Sequence, residues 1–317
     1  MNLTVAYRGN FQPGVRNPWS TETHVAAALE RLGHRVVRLQ ENQISWSACA
    51  AAGREADMFL WQRTWDIDPE GGHQALAQLK AAGVPTVSFH LDLYIGLERE
   101  KQLVDDPFWR TEHVFTADGG HPDEFAAYGV NHHWLPPAVD EDECAPGVPD
   151  RRRFPHPVVF VGSHPYPHPS WRPYRDRLLT TLAQRYRRDF KVWPIRGRPI
   201  RGRDLANLYA SAAVVVGDSC HAGQVPKYWS DRTPETLGRG AFLIHPEIRG
   251  MDDWYRPGED LATYPVGDFG RLCDLVDRYL TDPAERARIA GQGRATVLGR
   301  DTYTHRMRSV LETVGLA

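Results

Sequence analysis

Ser230-Asp-Arg-Thr-Pro-Glu-Thr-Leu-Gly-Arg-Gly-Ala-Phe-Leu-Ile-His245 decides how this chain is read. A polar turn passes into a short helix opened by Thr233-Pro234-Glu235, then a glycine stop and an apolar strand. Proline is tolerated in the first turn of a helix, where no intrahelical N–H bond is lost. Glu235 therefore sits near a helix N-terminus, beside Arg232, in the turn between two elements. A carboxylate there can accept two hydroxyls of a sugar ring, while Arg232 and the free backbone N–H groups from Thr233 onward can hold phosphate oxygens. A diol acceptor next to an anion clamp suits a nucleotide. A capped surface helix is the plainer alternative.

Working outward, apolar runs of strand length alternate with helical stretches along the chain. Strands are expected at Leu3–Tyr7, Arg35–Leu39, Met58–Trp61, Thr86–Phe89, His113–Thr116 and His133–Leu135. A second series follows at Val158–Val161, Lys191–Pro194, Ala213–Gly217, Ala241–His245 and Leu261–Tyr264. Helices are expected near 21–32, 71–82, 122–128, 172–188, 204–211, 234–239 and 268–281, with a last one at about 301–314. Such alternation gives parallel sheets with right-handed crossovers, and two series give two doubly wound, Rossmann-like α/β domains. The boundary is expected after Leu135-Pro-Pro-Ala-Val-Asp140. Residues 1–140 are then the first domain, 141–156 an acidic linker, 157–300 the second domain and 301–317 a terminal helix. Ligands of open α/β sheets bind beyond the carboxyl ends of the strands, so a cleft between two such domains is the expected site.

The 317 residues suffice for two ordinary domains, each with its own core. A composition 41% hydrophobic and 25% charged is that of a globular protein in water. No apolar run approaches the roughly 20 residues that span a bilayer. No basic segment followed by an apolar one opens the chain, so no signal peptide is expected. Cys49, Cys144, Cys220 and Cys273 are far apart and form no C-x-x-C pair, which fits reduced thiols and a cytoplasmic protein. The net charge of −2 is unevenly spread: Arg185 to Arg203 holds eight basic residues, Arg196 and Arg198 among them, against Asp189 alone. Such a run is either a solvated face or an attraction for an anion, whether a nucleotide diphosphate or a nucleic-acid backbone.

Several loops at strand ends carry candidate chemistry. Gly9 follows the first strand and permits close backbone approach ahead of a helix that begins near Glu22. No G-x-G-x-x-G fingerprint occurs there, which argues against a dinucleotide-dependent oxidoreductase. Alternation along the fourth strand puts His90 and Asp92 on one side, at its carboxyl end. Asp118, before two glycines and His121, is either a sugar contact or a turn former. Gly162 and Ser163 end the first strand of the second domain. His156, His164 and His168 are separated by prolines and lack accompanying acids, so no metal site is expected. Asp66-Ile-Asp68 lies in a polar loop and reads as structural.

After the opening stretch come Gly250-Met-Asp-Asp-Trp-Tyr-Arg-Pro-Gly-Glu259, the helix near 268–281, Asp282-Pro-Ala-Glu-Arg286, Ile289-Ala-Gly-Gln-Gly-Arg294 and Asp301-Thr-Tyr-Thr-His-Arg306. In that order, over roughly 205–312, these blocks resemble the C-terminal domain of GT-B glycosyltransferases, in the CgeB-like branch near the retaining GT4-type group. The resemblance implies a GT-B fold and transfer from a nucleotide-diphosphate sugar, a UDP-sugar ahead of a GDP-sugar. It implies retention of configuration and no metal or other cofactor. It places Gly162 and Ser163 near the donor, Arg172 or Arg175 on its diphosphate, His90 at the donor sugar and the last helix across the first domain. GT4-type enzymes often carry two glutamates eight residues apart; here the second matches Glu235 and Lys227 stands in the first position. Lys227 and Arg232 are then expected on the diphosphate and Glu235 on the ribose. The acceptor is left open between a small metabolite, a glycan, a protein and a hydroxymethylated base in DNA, with a non-catalytic nucleotide- or sugar-binding protein as the other reading.

Overall fold

Strands buried on both faces read as unbroken apolar runs, and the chain folds into two all-parallel sheets built from them. A computed structural model describes residues 2–12, 19–64, 69–97, 99–194 and 199–317. Arg196, Arg198 and Asp66-Ile-Asp68 lie outside the described residues. The chain divides into two compact units, Met1–Pro136 with Tyr303–Ala317, and Pro137–Thr302.

Unit 1 runs β1 (Thr4–Gly9), α1 (Thr21–Arg31), β2 (Arg35–Gln40), α2 (Trp46–Arg54), β3 (Met58–Trp61), α3 (Pro69–Ala81), β4 (Thr86–His90), α4 (Gln102–Asp105), β5 (His113–Thr116), α5 (Pro122–Ala127) and β6 (His132–Trp134). The strand order is β2-β1-β3-β4-β5-β6. From β1 the chain goes first to one side and then to the other, so the order reverses between β1 and β3. Ser20 caps α1 by accepting from Thr23 N, with Glu22 in the first turn and Arg31 in the last. One side of the sheet is covered by an aromatic core that includes Trp46, Trp61, Phe108, Trp109 and Phe125.

Unit 2 runs β7 (Val158–Val161), α6 (Arg172–Tyr186), β8 (Phe190–Trp193), α7 (Gly202–Ser211), β9 (Val214–Val216), α8 (Arg232–Gly238), β10 (Leu243–Pro246), β11 (Ala262–Tyr264), α9 (Phe269–Thr281) and α10 (Pro283–Arg300). Its order is β11-β10-β9-β7-β8, reversing between β7 and β9. Asp282 caps α10 by accepting from Glu285 N, with Pro283 in the first turn. The last helix, α11 (Tyr303–Thr313), belongs to unit 1 and buries Tyr303, Met307, Val310 and Leu311.

Two expectations change. Residues 141–156 are no free linker: a 3₁₀ turn at Glu141–Cys144 and the segment behind it belong to unit 2. Gly147 presses on α7, where an added Cβ would come 2.1 Å from the backbone of Ala206, and Val148 N donates to Asn207 Oδ1 at 2.8 Å. The basic run also forms no single surface. Arg185, Arg187 and Arg188 precede β8, at the amino edge of the sheet, whereas Arg201 and Arg203 follow it on the carboxyl side. Arg185 is paired with Asp277 at 2.5 Å.

Candidate functional site

Where strand order reverses, the crossovers leave on opposite faces of the sheet and open a crevice beyond the carboxyl ends. In unit 2 that crevice is flanked by the loops after β7 and β9. Arg175 and Asp218, both buried, fill its floor: Arg175 Nε donates to Asp218 Oδ2 at 2.9 Å, and Nη2 to Oδ1. Two parallel bonds make this the strongest kind of charge pairing, suited to a site where either partner alone would be costly. Arg175 Nη1 also donates to Ser163 O at 2.9 Å, which fixes the turn at Gly162-Ser163. Arg172 is spent locally, donating to the carbonyls of Tyr166 at 2.9 Å and Pro167 at 3.2 Å.

A second polar centre orders the long loop from β9 to α8. His245 Nδ1 lies 2.8 Å from the carbonyl of Pro246, so it carries the proton and Nε2 accepts from Ser219 Oγ at 3.0 Å. Ser219 Oγ in turn accepts from Ser230 N at 2.9 Å. Burial pushes the His245 pKa down to about 4, which keeps this tautomer neutral. The seven-residue α8 then starts with Arg232 paired to Glu235. Glu235 is therefore half of an ion pair and not a bare carboxylate. Arg201, at the start of α7, lies within electrostatic reach of both: burial first, then the Arg232 charge, pull its pKa below the usual range. Thr233 is buried and its Oγ1 has no partner. Lys227 is exposed, with φ +51°, and its stem lies against Gly250, where an added Cβ would meet Cγ at 2.8 Å. Beside this loop is a cavity of about 510 Å³, lined by Gly223, Glu247, Arg249, Met251, Tyr255 and Thr263 among others.

In unit 1 the corresponding crevice is between β1 and β3. A Cβ on Gly9 would fall 2.9 Å from Glu22 Cγ, so only glycine lets the first turn of α1 come this close. Glu22, buried, accepts from Thr64 Oγ1 at 2.8 Å, and Tyr7 Oη donates to Gln62 Oε1 at 2.6 Å. Arg8 lies over Trp46 at 4.0 Å and donates to the carbonyls of Glu41 and Ile44. His90, at the end of β4, is packed edge-on against Tyr94, Phe108 and Trp109; its buried Nε2 has no partner, and burial lowers its pKa to about 4. Asp92 is exposed, and no hydrogen bond joins it to His90. Asp118, fully buried after β5, accepts from Gly120 N at 3.0 Å and holds His121 Nδ1 at 2.9 Å, which raises the His121 pKa.

Residues 172–312 match the family model described as glycosyl transferase-like. No curated protein matches the sequence significantly. Among solved structures, Anabaena HepE, crystallised with UDP and glucose, is similar at TM-score 0.65 and 14% identity, over 100% of both chains. An α-glucosyltransferase bound to UDP and a 13-mer DNA containing an HMU base is similar at 0.71 and 7%, over 99% of this chain and 100% of that one. Sucrose-phosphate synthase from Thermosynechococcus elongatus is similar at 0.60 and 12%, over 98% of both.

The chain has the GT-B fold.

Within this fold the expected residues fall into separate groups. Arg232, Thr233 and Glu235 share α8, joined by Arg201; Lys227 lies in the loop leading to it; Gly162, Ser163 and Arg172 line the β7 side of the unit 2 crevice. Gly9, His90, Asp92 and Asp118 lie at three different strand ends of unit 1. Glu22, Asp218 and His245 were not singled out from sequence. Asp218 had a legible signal, a Gly-Asp-Ser step directly after the buried run Val214–Val216, yet its partner Arg175 is 43 residues away.

Proposed function

We propose that the protein transfers a sugar from a UDP-sugar to an acceptor hydroxyl, with retention of configuration and without a metal ion, in the cytoplasm. The observation that carries this reading is the grouping of Arg201, Arg232 and Glu235 at α8, within the segment that matches the glycosyl transferase-like model. One carboxylate among guanidinium groups offers a diol acceptor beside positive charge, the pairing a nucleoside diphosphate needs. A cavity of about 510 Å³, lined by Gly223 of the loop between β9 and α8 and by Glu247, Arg249 and Met251, lies within the range of small-ligand sites. UDP is favoured because HepE and the α-glucosyltransferase were both solved with it. Lys227, Arg232 and Arg201 would offset the charge on the departing diphosphate. His90, Asp92 and Asp118 would meet the transferred sugar or the acceptor, with Asp118 acting through His121. In a front-face transfer the leaving phosphate accepts the acceptor's proton, so no carboxylate pair is required.

The acceptor is a small molecule, a glycan or a modified base in DNA. The last is favoured by one observation, the likeness to a glucosyltransferase that was solved on HMU-containing DNA. Titration calorimetry with UDP, GDP and their sugars, followed by a donor-consumption assay over an acceptor panel, tests the reading. UDP-sugar binding with turnover supports it. Binding without consumption by any acceptor would make the protein a nucleotide-sugar binder instead.

A further inference from the structure

A groove of about 450 Å³ opens in unit 1 between the start of α2 and the first turns of α3. From β1 the chain crosses one way through α1 and the other way through α2 and α3. Right-handed crossovers therefore put α1 on one face of the sheet and α2 and α3 on the other. The groove lies on the face away from Gly9 and Glu22. Arg8, two residues after Ala6 on the same side of β1, joins Trp46 and Ala75 in its floor, all three buried. Ser45, Ser47 and Gln74 stand exposed at its rim.

Arg8 is 2% exposed, yet among the described residues no carboxylate pairs with its guanidinium. Nη1 donates to Ile44 O at 3.2 Å and to Cys49 Sγ at 2.9 Å, and Nη2 donates to Glu41 O at 2.9 Å. A guanidinium carries five N–H groups, so two are left over: one on Nη2, and Nε–H, which has no partner. Nε and Nη2 share one edge of the fork, the edge with which Arg175 holds Asp218. The carboxylate of Glu41 is engaged elsewhere, Oε1 with Trp61 Nε1 at 3.2 Å and Oε2 with Thr64 N at 2.9 Å. The Ser47 N–H, in the first turn of the nine-residue α2, has no acceptor among the described residues. The partial positive charge of that helix end adds to the guanidinium. Ser45 Oγ and Ser47 Oγ are 3.0 Å apart, and whichever donates to the other, one hydroxyl hydrogen remains for a ligand.

We propose that this groove binds the carboxylate of a small polyhydroxy acid, at a site separate from the crevice between β1 and β3. One guanidinium edge matches the planar fork of one carboxylate, and a buried charge without a counter-ion is costly until one arrives. The hydroxyl, amide and N–H groups of Ser45, Ser47 and Gln74 meet the hydroxyls of the acid. Ile44 and Ala75 supply little aliphatic surface, so the body of the acid is polar. The site stands on these residues alone and does not depend on the nucleotide-sugar reading above.

Calorimetry on the full chain with glucuronate, glucose and inorganic phosphate tests it, each titration repeated in excess UDP. Glucuronate should bind equally well with and without UDP, and glucose about 10-fold or more weakly than glucuronate. Gln74→Glu and Ser47→Glu put a negative charge on exposed rim positions, where the fold tolerates it. Each should weaken glucuronate binding by about 10-fold or more with the melting temperature unchanged. Ala77→Glu puts the same charge on an exposed position of α3 outside the groove and should keep the wild-type affinity. Arg8→Lys retains the charge without the fork and should bind as weakly as the rim variants; if it fails to fold, the rim variants decide. Wild-type protein that binds no glucuronate, or binds glucose or bare phosphate as tightly, would overturn the proposal. Competition by UDP, undiminished binding in Gln74→Glu and Ser47→Glu, or an equal loss in Ala77→Glu would overturn it as well.

Discussion

Glu235 and Arg232 neutralise each other across one turn of α8, so a ligand that uses the carboxylate must share it with the guanidinium. Removing Glu235 takes away a charge-assisted acceptor and unbalances Arg201 and Arg232. Glu235→Ala should weaken UDP binding by about 1.5–3 kcal/mol in a protein that still folds. Unchanged UDP affinity by calorimetry would take Glu235 out of the site. His245 makes a different demand. Its pKa is near 4 when folded against about 6.5 in the unfolded chain. Between those values the unfolded chain binds a proton that the folded protein refuses. The stabilisation is therefore full above pH 6.5, is lost as pH falls toward 4, and changes no further below it. The loss is about 3 kcal/mol for this one group. Thermal unfolding followed from pH 7.5 to 4 should show the decline, with a shallower slope in His245→Asn; equal slopes would show that other groups govern it.

Elements were far more legible than contacts. Parallel strands buried on both faces are continuous apolar runs, and Met58–Trp61, His113–Thr116 and Val158–Val161 lie at the expected positions. The helix start marked by Asp268 was equally plain, whereas α10, capped by Asp282 ahead of Pro283, was not anticipated. Helix α2 was not anticipated, because Trp46-Ser-Ala-Cys-Ala-Ala-Ala-Gly-Arg54 carries a run of alanines with little contrast between its faces. The site was legible only in part: strand-end loops can be located from strands, but pairs such as Asp118 with His121 or Ser170 with His221 depend on where loops meet. Glycines show the same limit. In α10, a Cβ on Gly293 would lie 2.3 Å from the carbonyl oxygen of Asp260, whereas one on Gly291 would meet nothing within 4 Å. Gly293→Ala should therefore destabilise by about 1–3 kcal/mol despite its better helix propensity. Gly291→Ala should stabilise by up to about 1 kcal/mol. Urea unfolding of both variants checks the pair, and a stabilised Gly293→Ala would show that α10 can shift away from Asp260.

For the whole molecule, the division of the basic run bears on the acceptor. Arg187 and Arg188 sit at the edge of the unit 2 sheet opposite its carboxyl ends, so charge there cannot guide a base into the crevice. If DNA is the acceptor, neutralising Arg201 and Arg203 should weaken retention of a hydroxymethylated duplex and flatten its salt dependence, while Arg187→Gln with Arg188→Gln should not. Gel shifts at two salt concentrations separate the cases; equal losses in both variants would point to diffuse attraction. Transfer activity should also survive EDTA, since the groups proposed to offset the diphosphate charge are arginine and lysine. Abolition by chelation and rescue by magnesium or manganese would reject a metal-free mechanism.

The return of α11 to unit 1 sets a schedule for synthesis. Its Tyr303, Met307, Val310 and Leu311 are buried, and Arg306 Nε donates to Pro136 O at 2.6 Å. Each such apolar side chain contributes about 1.5–3 kcal/mol once covered. On the ribosome, unit 2 is whole as soon as Thr302 is clear of the exit tunnel, although it is translated second. Unit 1 is begun first and completed after unit 2, its helical layer open until Tyr303–Thr313 emerges. A chain truncated after Thr302 and released from the ribosome should therefore show a protease-resistant unit 2 and a protease-sensitive unit 1.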